Sequence, residues 1–155
     1  MSEGPYLFDV SLIALAHAGT PVSEPALQYV RQAVEGQIDA VVPHAALIGA
    51  QHTLRNVYRF SNAEAARLMT QFRDARRIHW YEDMPERLLR ESLDLAGIKN
   101  IDGWDGYYGA AAQREGVETI LTLDDDFERV EDLSIEIPLT DDEREQLREY
   151  LAQKD

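Results

Sequence analysis

The chain contains no cysteine, which excludes a disulfide framework, a thiolate zinc centre, a thiol nucleophile and an iron–sulfur cluster. Lysine is almost missing as well: Lys99 and Lys154 are the only two among fifteen basic residues. There is no glycine-rich phosphate loop and no His-x-x-x-His pair, so two common nucleotide and zinc signatures are absent. Long apolar runs are lacking too. The longest near the N-terminus, residues 12–16, is too short to span a bilayer, no basic segment precedes it, and Asp9 sits just upstream. What is present is 155 residues at 45% hydrophobic content, enough for one domain with a sizeable core and too apolar for a disordered chain. The expectation is a cytoplasmic single-domain protein without a membrane segment.

Charge is the next feature. The formal net charge is −14, which does not favour a polyanionic partner, although the charge is unevenly placed. Arg55, Arg59, Arg67, Arg73, Arg76 and Arg77 fall in one segment whose only acids are Glu64 and Asp74, whereas residues 124–155 are strongly acidic. Abundant carboxylates with few lysines suit solubility at high salt, and they equally suit an ordinary acidic protein. Both readings stay open.

Apolar periodicity alternates between short strands and longer helices. Strands are expected at residues 6–8, 38–42, 77–81 and 119–123, with an edge strand at 134–139. Helices are expected at 10–18, 25–35, 44–60, 61–73, 85–96 and 102–116, and a charged one from 141. Gly19, Gly36, Gly97 and Gly116 stand where helices should stop, and Ser61 to Glu64 reads as a capping box. Strands separated by helical stretches predict βαβ units, hence an α/β/α sandwich around a mainly parallel sheet of four or five strands. One domain would cover residues 1–139. The charged helix in 140–155 belongs to it or is an appendage.

In such a sheet, functional groups gather beyond the carboxyl ends of the strands. Asp9 closes the first strand and Asp124 the fourth, while Asp105 lies in the first turn of the helix before the fourth strand. Three carboxylates from three segments can therefore meet at one sheet edge, and oxygen-only ligands suit a hard divalent ion such as Mg²⁺ or Mn²⁺. Each acid also has a plain structural reading: Asp9 as a helix cap, Asp105 as a favourable charge at a helix N-terminus, Asp124 within a solvated Asp triplet. Trp104 and Tyr108, four apart on one helical face, are expected in the core, and Tyr107 at a site mouth. His17 and His79 are expected to be buried or half-buried rings.

Three segments carry a resemblance. Phe8-Asp9-Val10-Ser11-Leu12-Ile13, Gly103-Trp104-Asp105-Gly106-Tyr107-Tyr108 and Leu121-Thr122-Leu123-Asp124-Asp125-Asp126-Phe127 resemble, in order and spacing, the best-defined motifs of the PIN-domain family. The resemblance extends over residues 6–139. It implies an α/β/α fold with an acidic Mg²⁺ or Mn²⁺ site, ribonuclease activity on single-stranded or structured RNA, and a possible role as the toxin of a toxin–antitoxin pair. It further implies Asp9, Asp105 and Asp124 as catalytic metal-binding acids, Ser11 and Thr122 as supporting hydroxyls, an antitoxin partner and a homodimer. Leu54, Val57, Tyr58 and Phe60 would supply apolar surface for that dimer. Arg55, Arg59, Arg73 and Tyr107 are the candidate RNA contacts.

The chain departs from the family at one point. A further acid, usually Glu, is expected early in the helix after the second strand, yet no acid occurs between Asp39 and Glu64. Gly49 or Ala50 stands at the matching position. Asp102, Asp126, Gln51 or His52 can fill the gap, with His44 also nearby, and Gly49→Glu or Ala50→Glu is expected to strengthen the hold on the ion. The departure keeps a second class of function in view, a PIN domain that binds RNA or protein without cutting. A haloacid-dehalogenase-type phosphatase fits poorly, because Ser11 stands where that chemistry needs its second Asp.

Overall fold

Tyr6, Leu7 and Phe8 are all buried, as befits a central parallel strand covered by helices on both faces. The computed structural model describes residues 4–130 and 133–153. In chain order the elements are β1 (Tyr6–Phe8), α1 (Val10–Ala18), α2 (Glu24–Val34), β2 (Ala40–Pro43), α3 (His44–Asn56), α4 (Asn62–Arg73), β3 (His79–Tyr81), α5 (Glu86–Lys99), α6 (Gly103–Arg114) and β4 (Thr119–Leu121). A 3₁₀ turn (Asp125–Arg129), β5 (Ser134–Glu136) and α7 (Asp141–Gln153) complete the chain.

The five strands form one parallel sheet in the order β3-β2-β1-β4-β5. The chain builds outward from β1 in one direction and then returns to build in the other. The point of reversal therefore lies between β1 and β4, where Phe8 pairs with Leu121. Helix α1 leaves β1 at that point and is buried on almost every side, by Leu12, Ile13, Ala14, Leu15 and Ala16. Gly19 ends it in the left-handed region, at φ 68°. Helix α7 is the opposite case: Leu147 alone is buried along it, and it joins the same core as Leu139. No helix among the described residues is long and apolar enough to cross a membrane.

Strands β3, β4 and β5 are shorter than their apolar runs suggest. Arg77 and Ile78 lie outside β3, and the Arg77 guanidinium donates to the Glu35 carbonyl at 2.6 Å. His79, expected to be at least half-buried, is exposed on this edge strand and lies 3.4 Å from Glu115. Strand β4 closes with the Thr122 N–H still donating to the β5 carbonyl of Glu136 at 3.2 Å, and pairing ends at Leu123, whose N–H turns to the Ser11 hydroxyl at 2.9 Å.

Helices α5 and α6 approach closely at Gly106, where an added Cβ would lie 2.3 Å from the Ser92 carbonyl oxygen. Gly106→Ala is therefore expected to lose roughly 1–3 kcal/mol through overpacking, outweighing its gain in helix propensity. Gly97→Ala, on the same helix pair with nothing within 4 Å, is expected to gain up to about 1 kcal/mol. Urea unfolding of the two variants checks the pair.

Candidate functional site

Asp9 follows β1 directly, and its carboxylate is 4% exposed. Its Oδ1 accepts from the Leu12 N–H at 3.1 Å and the Ser11 hydroxyl at 2.8 Å; its Oδ2 accepts from the Thr122 hydroxyl at 2.6 Å. Asp9 is thus the α1 cap and a member of the sheet-edge cluster at once. The Thr122 oxygen in turn accepts from the Asp124 N–H at 2.9 Å. Ser11 and Thr122 therefore fasten the backbone after β4 onto the residue that ends β1. Burial pushes the Asp9 carboxyl above the usual range, its three donors pull it back, and the Asp124 charge raises it further.

Asp9, Asp105 and Asp124 line a single cavity of about 470 Å³ outside the carboxyl ends of β1 and β4. Asp105, in the first turn of α6, is 7% exposed, and Asp124 is half-buried. Val10, Ile48, Gly49 and Thr53 form much of the remaining wall, with Ser11, His52, Trp104 and Tyr108. Among the described residues no three His, Asp or Glu side chains are drawn together tightly enough to hold an ion as they stand. The donor set nevertheless fits a hard cation. Its anionic oxygens share a cavity, and the repulsion between Asp9 and Asp124 is the kind that a cation relieves. The Tyr108 hydroxyl is buried beside these acids and has no hydrogen-bond partner among the described residues; burial and the Asp9 charge push this phenol above its ordinary value.

Other expected residues are placed differently. Asp102 is exposed and caps α6, accepting from the Asp105 N–H at 2.8 Å, so its acceptor serves the helix end and it does not line the cavity. The Asp126 side chain lies outside the described residues. Gln51 turns to Asn62, and His44 accepts from Arg73 at 2.5 Å, which leaves His52 as the member of that group on the cavity wall. Arg55 and Arg59 are exposed without lining the cavity. Arg73 stacks over Trp80 and lines a neighbouring cavity, separated by Ile48, which belongs to both. The two aromatic assignments on α6 exchange places: Tyr107 is buried, and Trp104, 54% exposed, takes the mouth. Tyr108 is buried as expected but also lines the cavity, a role the sequence reading missed. Its spacing of one helical turn from Asp105 was the available signal.

Because the folded state holds the Asp9 proton more tightly than the unfolded chain, this carboxyl stabilises the fold below its ordinary value of 3.8. That contribution is lost as pH rises through the raised folded value. Metal-free Asp9→Asn is therefore expected to gain stability relative to the parent as pH rises from about 3.5, below that ordinary value, to 7.5. Thermal melts at the two pH values check it; a difference independent of pH contradicts it.

The PIN-domain family model matches residues 6–133. Among solved structures the chain is similar to PAE2754 from Pyrobaculum aerophilum, at 20% identity and TM-score 0.59, covering 97% of this chain and 98% of that one. It is similar to VapC20 from Mycobacterium tuberculosis, a sarcin–ricin loop cleaving toxin, at 15% identity and TM-score 0.66, covering 81% and 95%. FitAcB from Neisseria gonorrhoeae matches at 18% identity and TM-score 0.57, covering 86% and 97%. A search of curated proteins found no relative. With the family model spanning most of the chain, and the acids of its three motifs lining one cavity at the sheet's switch point, this protein belongs to the PIN-domain family.

Proposed function

We propose that this protein is a divalent-metal-dependent endoribonuclease acting on single-stranded or structured RNA, and the toxin of a toxin–antitoxin pair in the cytoplasm. The observation that carries this reading is the shared cavity of Asp9, Asp105 and Asp124. PIN domains generally depend on a divalent metal. Asp9, Asp105 and Asp124 would hold Mg²⁺ or Mn²⁺. An ion held there would supply Lewis-acid chemistry, polarisation of a phosphate oxygen and activation of a water for attack on the phosphodiester.

The chain's own residues supply position and charge. Ser11 and Thr122 keep Asp9 from rotating, and the Thr122 hydroxyl sets the backbone that carries Asp124. Three carboxylates alone repel a phosphodiester, so RNA approach depends on the cation's charge. Arg55, Arg59 and Arg73 are the proposed backbone contacts, Arg73 across the Ile48 partition. The toxin VapC20 and the protein FitAcB support an antitoxin partner. For a homodimer the apolar surface differs in part from the one expected: Leu54 and Tyr58 are buried in the chain's own core, Val57 is exposed and Phe60 half-buried, and Ile48 on α3 and Leu89, Leu93 and Ile98 on α5 are exposed as well.

The wall at Gly49 favours the second reading, a domain that binds without cutting. The structure also revises how the missing acid can be restored. Ala50 is fully buried, and an added Cβ at Gly49 would stand 2.6 Å from a Val10 methyl. Gly49→Glu alone is expected to cost roughly 1–3 kcal/mol through overpacking, which outweighs the gain that helix propensity implies. Val10→Ala with Gly49→Glu removes the clashing methyl, and this pair is expected to cut RNA faster than the parent. The parent should cut better in Mn²⁺ than in Mg²⁺, since Mn²⁺ tolerates a nitrogen ligand such as His52. Asp9→Asn, Asp105→Asn and Asp124→Asn should each abolish cleavage. If neither the parent nor the paired variant cuts RNA in Mn²⁺ while both remain folded, the nuclease reading is wrong and the binding module replaces it.

A further inference from the structure

Tyr108 is the buried polar group that the reading above leaves unused. The residue is 2% exposed, and its hydroxyl is shut off from solvent with no hydrogen-bond partner among the described residues. Buried hydroxyls are nearly always paired, and an exception calls for an explanation in terms of function or a missing ion. The ring lines the cavity that holds Asp9, Asp105 and Asp124.

Asp9 and Asp105 are the cavity carboxylates whose charge acts on the Tyr108 phenol, Asp9 the more strongly. Asp9 already takes two hydrogen bonds at Oδ1 and one at Oδ2. A carboxylate offers about four acceptor sites, so an ion bound at Asp9 would fill it. Asp105 lies three residues before Tyr108 on α6. Side chains three apart on a helix are neighbours, and the Asp105 charge acts on the Tyr108 phenol.

We propose that Tyr108 is a positioning residue: in the cation-bound protein its hydroxyl donates a hydrogen bond to the Asp105 carboxylate and orients it toward the ion. The inference rests on the metal-dependent reading above and deepens it. Tyr108 would then act on Asp105 as the Ser11 and Thr122 hydroxyls act on Asp9.

Tyr108→Phe removes the hydroxyl and little else. Calorimetric titration of the full chain with MnCl₂, without RNA, is expected to show affinity roughly tenfold below that of the parent, as for other partners of metal-binding carboxylates. The metal-free variant should melt at or above the parent, because an unpaired buried hydroxyl has been removed. Adding Mg²⁺ should perturb the near-ultraviolet tyrosine spectrum of the parent and of Tyr107→Phe, and this perturbation should be absent from Tyr108→Phe. Unchanged Mn²⁺ affinity in Tyr108→Phe overturns the proposal and leaves the nuclease reading standing. A parent chain that binds no Mn²⁺ at millimolar concentration overturns both.

Discussion

A carboxylate withdrawn from water at the end of the central strand is the constraint on which the rest of this structure depends. Burying the Asp9 charge is costly unless hydrogen bonds replace its lost hydration. Here the replacement comes from two distant parts of the chain: Ser11 and the Leu12 N–H on α1, and Thr122 beyond β4. Satisfying one side chain therefore joins the two central strands at their carboxyl ends and defines where the chain turns away from the sheet. The Asp124 backbone is held by the same Thr122 oxygen, so the second acid inherits its place from the first.

Around this point the cavity is shaped by what is left out as much as by what is present. Gly49 lets α3 come against Val10 on α1 without filling the space beside Asp9. Gly106 lets α6 press against α5 while Asp105, its neighbour, faces the cavity. Both are helix-interior glycines, which lower helix propensity, and both are explained by close packing. Because the helices meet tightly, changes in volume at either glycine are felt at the acids next to them.

Much of this was legible in the sequence. The alternation of β-branched runs with helical stretches identified the parallel sheet, and acids at the ends of residues 6–8 and 119–123 identified the edge where the acid-lined cavity opens. The end of β4 was less legible, because Thr122 still pairs with the β5 carbonyl of Glu136 and only at Leu123 does the Ser11 hydroxyl take the backbone N–H. Helix α6 was misread for a different reason. Its residues from Asp105 to Ala112 are all buried, so periodicity offers no contrast between faces, and nothing local distinguishes Trp104 from Tyr107. Leu54 and Tyr58 show the same limit from the other side: apolar residues at helical spacing fit a core and a subunit interface equally well, and only tertiary packing separates them.

Ile48 ends as the least conspicuous residue of consequence. It is 73% exposed and forms a wall of both the acidic cavity and the one that contains Arg73. Any ligand seated in either cavity shares this side chain with an occupant of the other. If filling one cavity changes the Ile48 rotamer, it changes affinity in the other by a factor that is equal in both directions. One exposed aliphatic side chain is then a thermodynamic link between two chemically unlike neighbours, acidic on one side and basic on the other.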